Sequence, residues 1–269
     1  MPGTRLGQNF LATAAWREKI AASLEIRRDQ TWLEIGAGHG EMTEHLAARA
    51  SRVVSIELDP KLASDLRDRA ESWPNVTLIE SDVLKLDLAN VAGPAHFHIY
   101  GSIPYYITSP ILHLLFTQAQ QIDSAHLVMQ LEVAQRLVAK PGSRDCGYLS
   151  VATQFHFTPK IAMRIPPGAF RPAPKVTSAL VELRPPGAAL EISIAPNSAD
   201  ANRFLEFVGT CFAHKRKTLL NNLKSLPEFA SGQTGKLQEI LRRAQVPPNS
   251  RAEQLTIAQF ARLFRGLPT

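Results

Sequence analysis

Leu33-Glu34-Ile35-Gly36-Ala37-Gly38-His39-Gly40 runs an apolar strand straight into three glycines at alternating positions, and few folds accept such a junction. Glycine lacks a Cβ and tolerates positive φ, so this turn lets the backbone lie close against a ligand. A strand, a glycine turn and a helix in that order form the opening unit of an α/β sheet. The surrounding sequence keeps the same rhythm. A helix is predicted over 13–24, where Trp16, Ile20 and Leu24 recur every fourth residue. Strands are predicted over 31–35, 52–57, 76–80, 96–100 and 126–130. Between them, a helix over 41–50 turns Met42 and Leu46 inward, and Asp59-Pro60 caps another through Leu62 and Leu66. Ser109-Pro110 repeats the cap-and-proline start before Ile111, Leu112, Leu115 and Phe116, and 133–139 is helical. Residues 151–183 read as an antiparallel extended pair closing one sheet edge. The expected architecture is α/β, a doubly wound sheet whose ligands sit beyond the carboxyl ends of its strands.

Pro185-Pro186-Gly187 interrupts that rhythm, and from Asn202 the chain reads as helical. The expected division is a ligand-binding domain over 1–187, a connector over 188–200 and a smaller all-helical domain over 201–269. That last segment carries eleven Lys and Arg against four Asp and Glu, so it holds all of the chain's net positive charge of +6. A near-neutral body with a basic end suits a polyanionic partner, although a soluble basic surface has the same composition. Two cysteines, Cys146 and Cys211, make no disulfide framework and have no metal-ligand spacing. No apolar run is long enough to span a bilayer, and Met1-Pro2-Gly3-Thr4-Arg5 does not lead into a signal-peptide core. A reduced, cytoplasmic protein without metal or membrane attachment is expected.

Gly36, Gly38 and Gly40 are spaced G-x-G-x-G. Dinucleotide enzymes place a third glycine or an alanine one position later, where this chain has Glu41. A carboxylate at a helix start repels a pyrophosphate, but S-adenosylmethionine has none. Glu57 ends the second strand, where a carboxylate accepts from a ribose diol or caps a helix. Asp82, in Glu80-Ser81-Asp82-Val83-Leu84, is placed to accept from an adenine amino group or to stabilise a plain turn. Glu34, inside a strand, needs a partner: a ligand's positive end or a neighbouring amide. Gly7-Gln8-Asn9-Phe10-Leu11 is either a lid over the ligand or an ordinary loop.

Tyr100-Gly101-Ser102-Ile103-Pro104-Tyr105 offers the second half of a reaction. An exocyclic aromatic amine is a poor nucleophile, because its lone pair is delocalised into the ring. A site that methylates it must hold the base flat, accept from its N–H and align it with the methyl donor. The Ser102 hydroxyl, the carbonyls around Pro104 and the Tyr105 ring meet those needs, and positioning supplies most of the catalysis. The alternative is a strand-capping turn with Tyr105 packed on the core.

Together, Gly7–Leu11, Glu34–Gly40, Glu57, Ser81-Asp82, Ser102–Tyr105 and Phe170-Arg171-Pro172-Ala173-Pro174-Lys175-Val176-Thr177-Ser178 resemble the rRNA adenine N6-dimethyltransferase family. Glu132–Ser143, Lys215-Arg216-Lys217-Thr218-Leu219, Asn221-Asn222-Leu223 and Arg251-Ala252-Glu253-Gln254-Leu255 resemble its small-subunit branch, which dimethylates two adjacent adenosines near the 3′ end of 16S rRNA. The resemblance runs almost end to end. It implies a Rossmann-like class I methyltransferase sheet and S-adenosylmethionine as methyl donor. Asn9, Leu11, Gly36, Gly38, Glu57, Asp82 and Ser102 would contact that donor. Ser102, Pro104 and Tyr105 would carry catalysis, and Tyr105 and Phe170 would enclose the base. The helical tail, first of all Lys215, Arg216 and Lys217, would grip rRNA. The implied partner is 16S rRNA within the 30S subunit or its precursor, met by a monomer.

The family usually has asparagine where this chain has Ser102. A serine hydroxyl still accepts from N–H, but it reaches less far and lacks the amide's paired donor and acceptor. Three rival readings follow. The 23S rRNA branch is favoured by Ile103 before Pro104. An assembly factor with weakened catalysis is favoured by Ser102. A nicotinamide oxidoreductase is opposed by Glu41.

Overall fold

The computed structural model describes residues 9–186, 194, 199–224, 226, 229 and 234–268. In chain order the first elements are β1 (Phe10–Leu11), α1 (Ala14–Ser23), β2 (Thr31–Ile35), α2 (Glu41–Ala47), β3 (Arg52–Glu57), α3 (Pro60–Ala70), β4 (Val76–Glu80), α4 (Leu88–Ala92), β5 (Phe97–Ser102), α5 (Thr108–Thr117) and β6 (Ile122–Gln130). There follow α6 (Leu131–Leu137), α7 (Tyr148–His156), β7 (Thr158–Ile165), β8 (Phe170–Arg171) and β9 (Ser178–Arg184). The last helices are α8 (Ala199–Cys211), α9 (Leu219–Leu223), α10 (Thr234–Arg243) and α11 (Ile257–Arg265).

Seven strands make the main sheet in the order β4-β3-β2-β5-β6-β9-β7. The β4, β3, β2, β5 and β6 strands run parallel, and β9 runs antiparallel to β6. Parallel strands are covered on both faces, and β2 shows it: Trp32, Leu33 and Ile35 are all buried. The chain leaves β2 in one direction, through β3 to β4, and returns to β5 on the other side of β2. That reversal is the topological switch point, where the crossovers diverge and leave a crevice at the strand ends. Asp59 accepts from Lys61 N at 2.9 Å with Pro60 in the first turn of α3, as the cap pattern predicts.

Contacts divide the described residues into two units: residues within 1–134 and 159–185, and residues within 135–158 and 186–269. The second unit thus draws on a segment well before the predicted boundary at 187. Of the predicted connector 188–200, only Ile194 and the start of α8 are described. In the first unit, Trp32, Leu46, Tyr100, Val128, Phe170 and Leu180 belong to one buried cluster. The second unit has its own core, in which Phe155, Phe204, Phe207, Leu241, Phe260 and Leu263 are buried. Both cysteines are buried and unbonded. No helix among the described residues is long and apolar enough to cross a membrane.

Two local expectations are corrected. The extended pair predicted over 151–183 contains a helix, α7, before its strands begin. Val151 and Thr153 favour a strand locally, but tertiary contacts win. Val151 and Phe155 enter the helical core, and Gln154 Nε2 donates to the carbonyls of Leu137 and Ala139, both at 2.9 Å, just past the end of α6. The second correction concerns α5, which begins at Thr108, so Ser109 is not its cap. Pro110 lies within the first turn, where a missing N–H leaves no helical bond unmade.

Candidate active site

Residues from both halves of the switch point line one cavity in the first unit. Asn9, Leu11, Gly36, Gly38, Glu57 and Asp82 lie on its walls, and so do Ser102, Pro104, Tyr105 and Phe170. The parallel register puts Ile35 opposite Gly101, and a Cβ on Gly36 would stand 3.4 Å from the Ser102 carbonyl oxygen. Two motifs far apart in sequence are therefore side by side at the end of adjacent strands.

The glycine turn is held from beneath by a carboxylate. Glu57, 3 % exposed, accepts from Gly38 N through Oε2 at 2.8 Å and from Leu58 N and Asp59 N through Oε1, both at 2.9 Å. Glu57 thus fastens the turn after β2 to the turn after β3, with about one lone-pair site left for a ligand. Gly38 and Gly40 need to be glycine. Their φ angles are 59° and 83°, a Cβ on Gly38 would press on the Phe10 ring at 3.2 Å, and one on Gly40 would overlap Leu66.

Phe10 also explains the segment before α1. Phe10 and Leu11 pair with Arg171 and Phe170 in a two-stranded ribbon, and the Phe10 ring lies 5.0 Å from that of His39. Of the two sequence readings for 7–11, the described part is neither a bare loop nor detached. It is a strand against the glycine turn. Gly7 and Gln8 lie outside the described residues.

Glu34 is buried beside the turn. Its Oε2 accepts from Thr43 Oγ1 at 2.5 Å and from Ser55 Oγ at 2.8 Å, and its other oxygen has no protein partner among the described residues. Burial raises its pKa to about 7, against the lowering effect of the two hydroxyls. The partners are hydroxyls rather than the amide considered from sequence. Asp82 accepts from Leu84 N at 3.0 Å, so it serves the turn while also facing the cavity. Glu41 is the first residue of α2 and lines the same cavity, which disfavours an anionic pyrophosphate there.

Beside the glycine turn, Ser102 is the last residue of β5, and Ile103 N donates to Val128 O at 3.3 Å. Pro104 opens a short 3₁₀ turn over Tyr105–Ile107. The Tyr105 hydroxyl is 2.8 Å from Ser178 Oγ, a buried residue at the start of β9, which fixes the tilt of the ring. Phe170, 1 % exposed, supplies a second aromatic surface from β8. The arrangement combines a cradle of bare backbone and carboxylates with two aromatic residues, Tyr105 and Phe170, and Ser102 lines the same cavity.

Sequence reasoning missed several lining residues: Phe10 as a wall, Leu58, Val83 and Tyr106. Leu58 and Val83 carried a signal. Each directly follows a strand-end acid, Glu57 or Asp82, and Leu58 stays 46 % exposed, as an apolar wedge for a flat ring would.

Lys215, Arg216 and Lys217 lie in the second unit, on the turn between α8 and α9. All three are exposed and without ion pairs among the described residues. Buried Asn222 holds that turn, donating from Nδ2 to Cys211 O at 2.7 Å and His214 O at 3.2 Å. This accounts for an asparagine at 222.

Residues 3–267 match the sequence model of a family described as ribosomal RNA adenine dimethylase. The chain is 40 % identical to a ribosomal RNA small subunit methyltransferase A from Acidobacterium capsulatum, over 98 % of this chain and 90 % of that protein. It is 39 % identical to one from Syntrophus aciditrophicus, over 99 % and 94 %. Among solved structures it resembles the 23S rRNA methyltransferase ErmE at 30 % identity, with a TM-score of 0.71 over 96 % of this chain and 99 % of that one. A dimethyladenosine transferase from Plasmodium falciparum shares the fold, with a TM-score of 0.76 at 22 % identity over 94 % and 95 %.

Proposed function

This chain belongs to the ribosomal RNA adenine dimethylase family, and from that premise we propose that it transfers methyl groups from S-adenosylmethionine to N6 of two adjacent adenosines near the 3′ end of 16S rRNA. The observation that carries the reading is the meeting of the Gly36 turn and Ser102 in one cavity that Tyr105 and Phe170 also line. A small-subunit target is favoured over 23S rRNA by the relatives: 40 % identity to the small-subunit enzyme of Acidobacterium capsulatum against 30 % to ErmE.

The cavity fits the donor. A Cβ on Gly38 would meet the Phe10 ring, so the loop is bare by necessity. Buried Glu57 keeps about one lone-pair site for a ribose hydroxyl, and Glu34, which lines the cavity, keeps an unpaired oxygen that a positively charged ligand would face. Asn9, Leu11, Gly36, Gly38, Glu57 and Asp82 would hold it. When bound, S-adenosylmethionine supplies a methyl group on a positively charged sulfur. The chain's own residues then orient the acceptor. The Ser102 hydroxyl accepts from the N6 amine, which frees the nitrogen's lone pair from the ring. Pro104 restricts the backbone so that neighbouring carbonyls face the amine. Tyr105 and Phe170 hold the base flat between them. Orientation of this kind accounts for most of the acceleration, because the donor is already strongly electrophilic. A base taken from structured RNA must be unstacked to enter.

Lys215, Arg216 and Lys217 engage rRNA phosphates, and 201–269 forms the basic RNA-binding part joined through 188–200 to the catalytic domain over 1–187. The enzyme works as a cytoplasmic monomer on the 30S subunit or its precursor, without a metal.

Labelled methyl transfer to 30S particles lacking the modification, with mass mapping of the 16S rRNA 3′ end, tests the reading. Two dimethylated adenosines are expected, and none on 50S particles. Incorporation into 50S particles alone would move the chain to the 23S branch. Binding to 30S particles without incorporation would favour an assembly factor whose catalysis Ser102 has weakened. Neutralising Lys215, Arg216 and Lys217 is expected to weaken particle binding and flatten its salt dependence.

A further inference from the structure

With Tyr105 and Phe170 enclosing one base in a single slot, as proposed above, a substrate with two adjacent adenosines poses a problem. While one base is inside, its neighbour must lie outside, at the mouth. Tyr106 stands there. It directly follows Tyr105 and lines the same cavity, yet it is 61 % exposed. Its hydroxyl has no partner among the described residues, so nothing in the protein orients the phenol. Tyr105, by contrast, is tethered through its hydroxyl to Ser178.

A second observation points the same way. Residues 171–177 join Phe170, a wall of the cavity, to Ser178, the anchor of Tyr105, so both ends of this loop are fixed at the slot. The loop carries Arg171 and Lys175, both exposed and neither paired with an acid among the described residues. An exposed flat ring on a cavity, with unpaired cations on a segment anchored at the same cavity, is what single-stranded nucleic acid uses: bases stack on the ring and phosphates lie against the charge.

With the dimethylation reading as its basis, we infer that Tyr106 is a stacking platform for the nucleotide next to the one in the slot, with Arg171 and Lys175 holding the intervening phosphates. The platform keeps the RNA in place while either adenosine of the pair occupies the slot. A single surface tyrosine with no such role would leave particle recognition unchanged when removed.

The test uses the full chain and unmodified 30S particles, with Tyr106→Ala, Tyr106→Phe, Tyr106→Leu and Arg171→Gln/Lys175→Gln. Tyr106→Ala and Tyr106→Leu are expected to raise the particle concentration for half-maximal rate about tenfold. They should also increase the share of rRNA carrying only one dimethylated adenosine. S-adenosylmethionine affinity and melting temperature should stay unchanged, and Tyr106→Phe should match the parent. The double cation variant should flatten the salt dependence of particle binding. An alanine variant with the parent's half-saturation and product pattern overturns the inference, and so does a phenylalanine variant as impaired as alanine. A parent enzyme that binds 30S particles and methylates neither adenosine overturns the reading beneath it instead.

Discussion

On the glycine side of the cavity the wall is backbone, held by carboxylates. Glu57 takes three N–H groups from two turns, Asp82 takes one, and Glu34 is locked by two hydroxyls. After β5 and on β8 the wall is side chains: Ser102, the Tyr105 ring held by one bond to Ser178, and the packed Phe170 ring. A change on the first side disturbs the joints between strands, so it should register in stability. A change at Ser102 or at the Tyr105 hydroxyl on the second side leaves the sheet intact and should register in rate, whereas Phe170 belongs to the core. The contrast gives a physical account of how residue 102 can vary: a side chain on this wall can change without unmaking the fold.

The largest expected effect is Gly40→Ala. A left-handed φ of 83° and a Cβ overlapping Leu66 together should cost about 4 kcal/mol of stability in denaturant unfolding. A loss below 1 kcal/mol would mean that the turn is softer than its geometry, and the contrast would fail.

Next is Glu34→Gln, read as stability against pH. Glu34 has a pKa of about 7 in the fold, above its ordinary 4.5, so the folded state holds a proton that the unfolded chain releases. Its contribution is complete below pH 4.5 and declines as pH rises towards 7, by about 3 kcal/mol at most. The glutamine variant should lack that slope, so the parent loses stability relative to it across this window. Parallel curves would place the buried charge elsewhere.

On the side-chain wall, Ser102→Ala should lower kcat about thirtyfold, equivalent to about 2 kcal/mol for one lost hydrogen bond, with an unchanged melting temperature. Ser102→Asn should keep or raise kcat. A destabilised alanine variant would blur the distinction between the walls. The smallest effect is that of Tyr105→Phe, which keeps the ring and removes only the bond to Ser178. A rate loss of about fivefold, near 1 kcal/mol, is expected, with stacking preserved. No loss would show that packing alone sets the ring.

Much of this was legible in the sequence, because it rests on local rules. Alternating strand and helix patterns marked the parallel strands, Asp59-Pro60 marked the start of α3, and the three glycines marked a turn of positive φ. Strand-end acids at 57 and 82 could be assigned to the cavity, since carboxyl ends of such strands face one crevice. Less legible were features whose cause lies far along the chain. The helix α7 forms in a stretch with strand propensity because Val151 and Phe155 find a helical core. The strand at Phe10–Leu11 exists only because Phe170–Arg171 comes to pair with it. Glu34's hydroxyl partners, Tyr105's tether to Ser178 and the open position of Tyr106 likewise carry no periodic signature. Sequence determines what each segment prefers and which chemistry it carries. Which segments become neighbours is decided by the packing of the sheet, since hydrophobic burial has no direction of its own and only the assembled register brings Gly36 against Ser102.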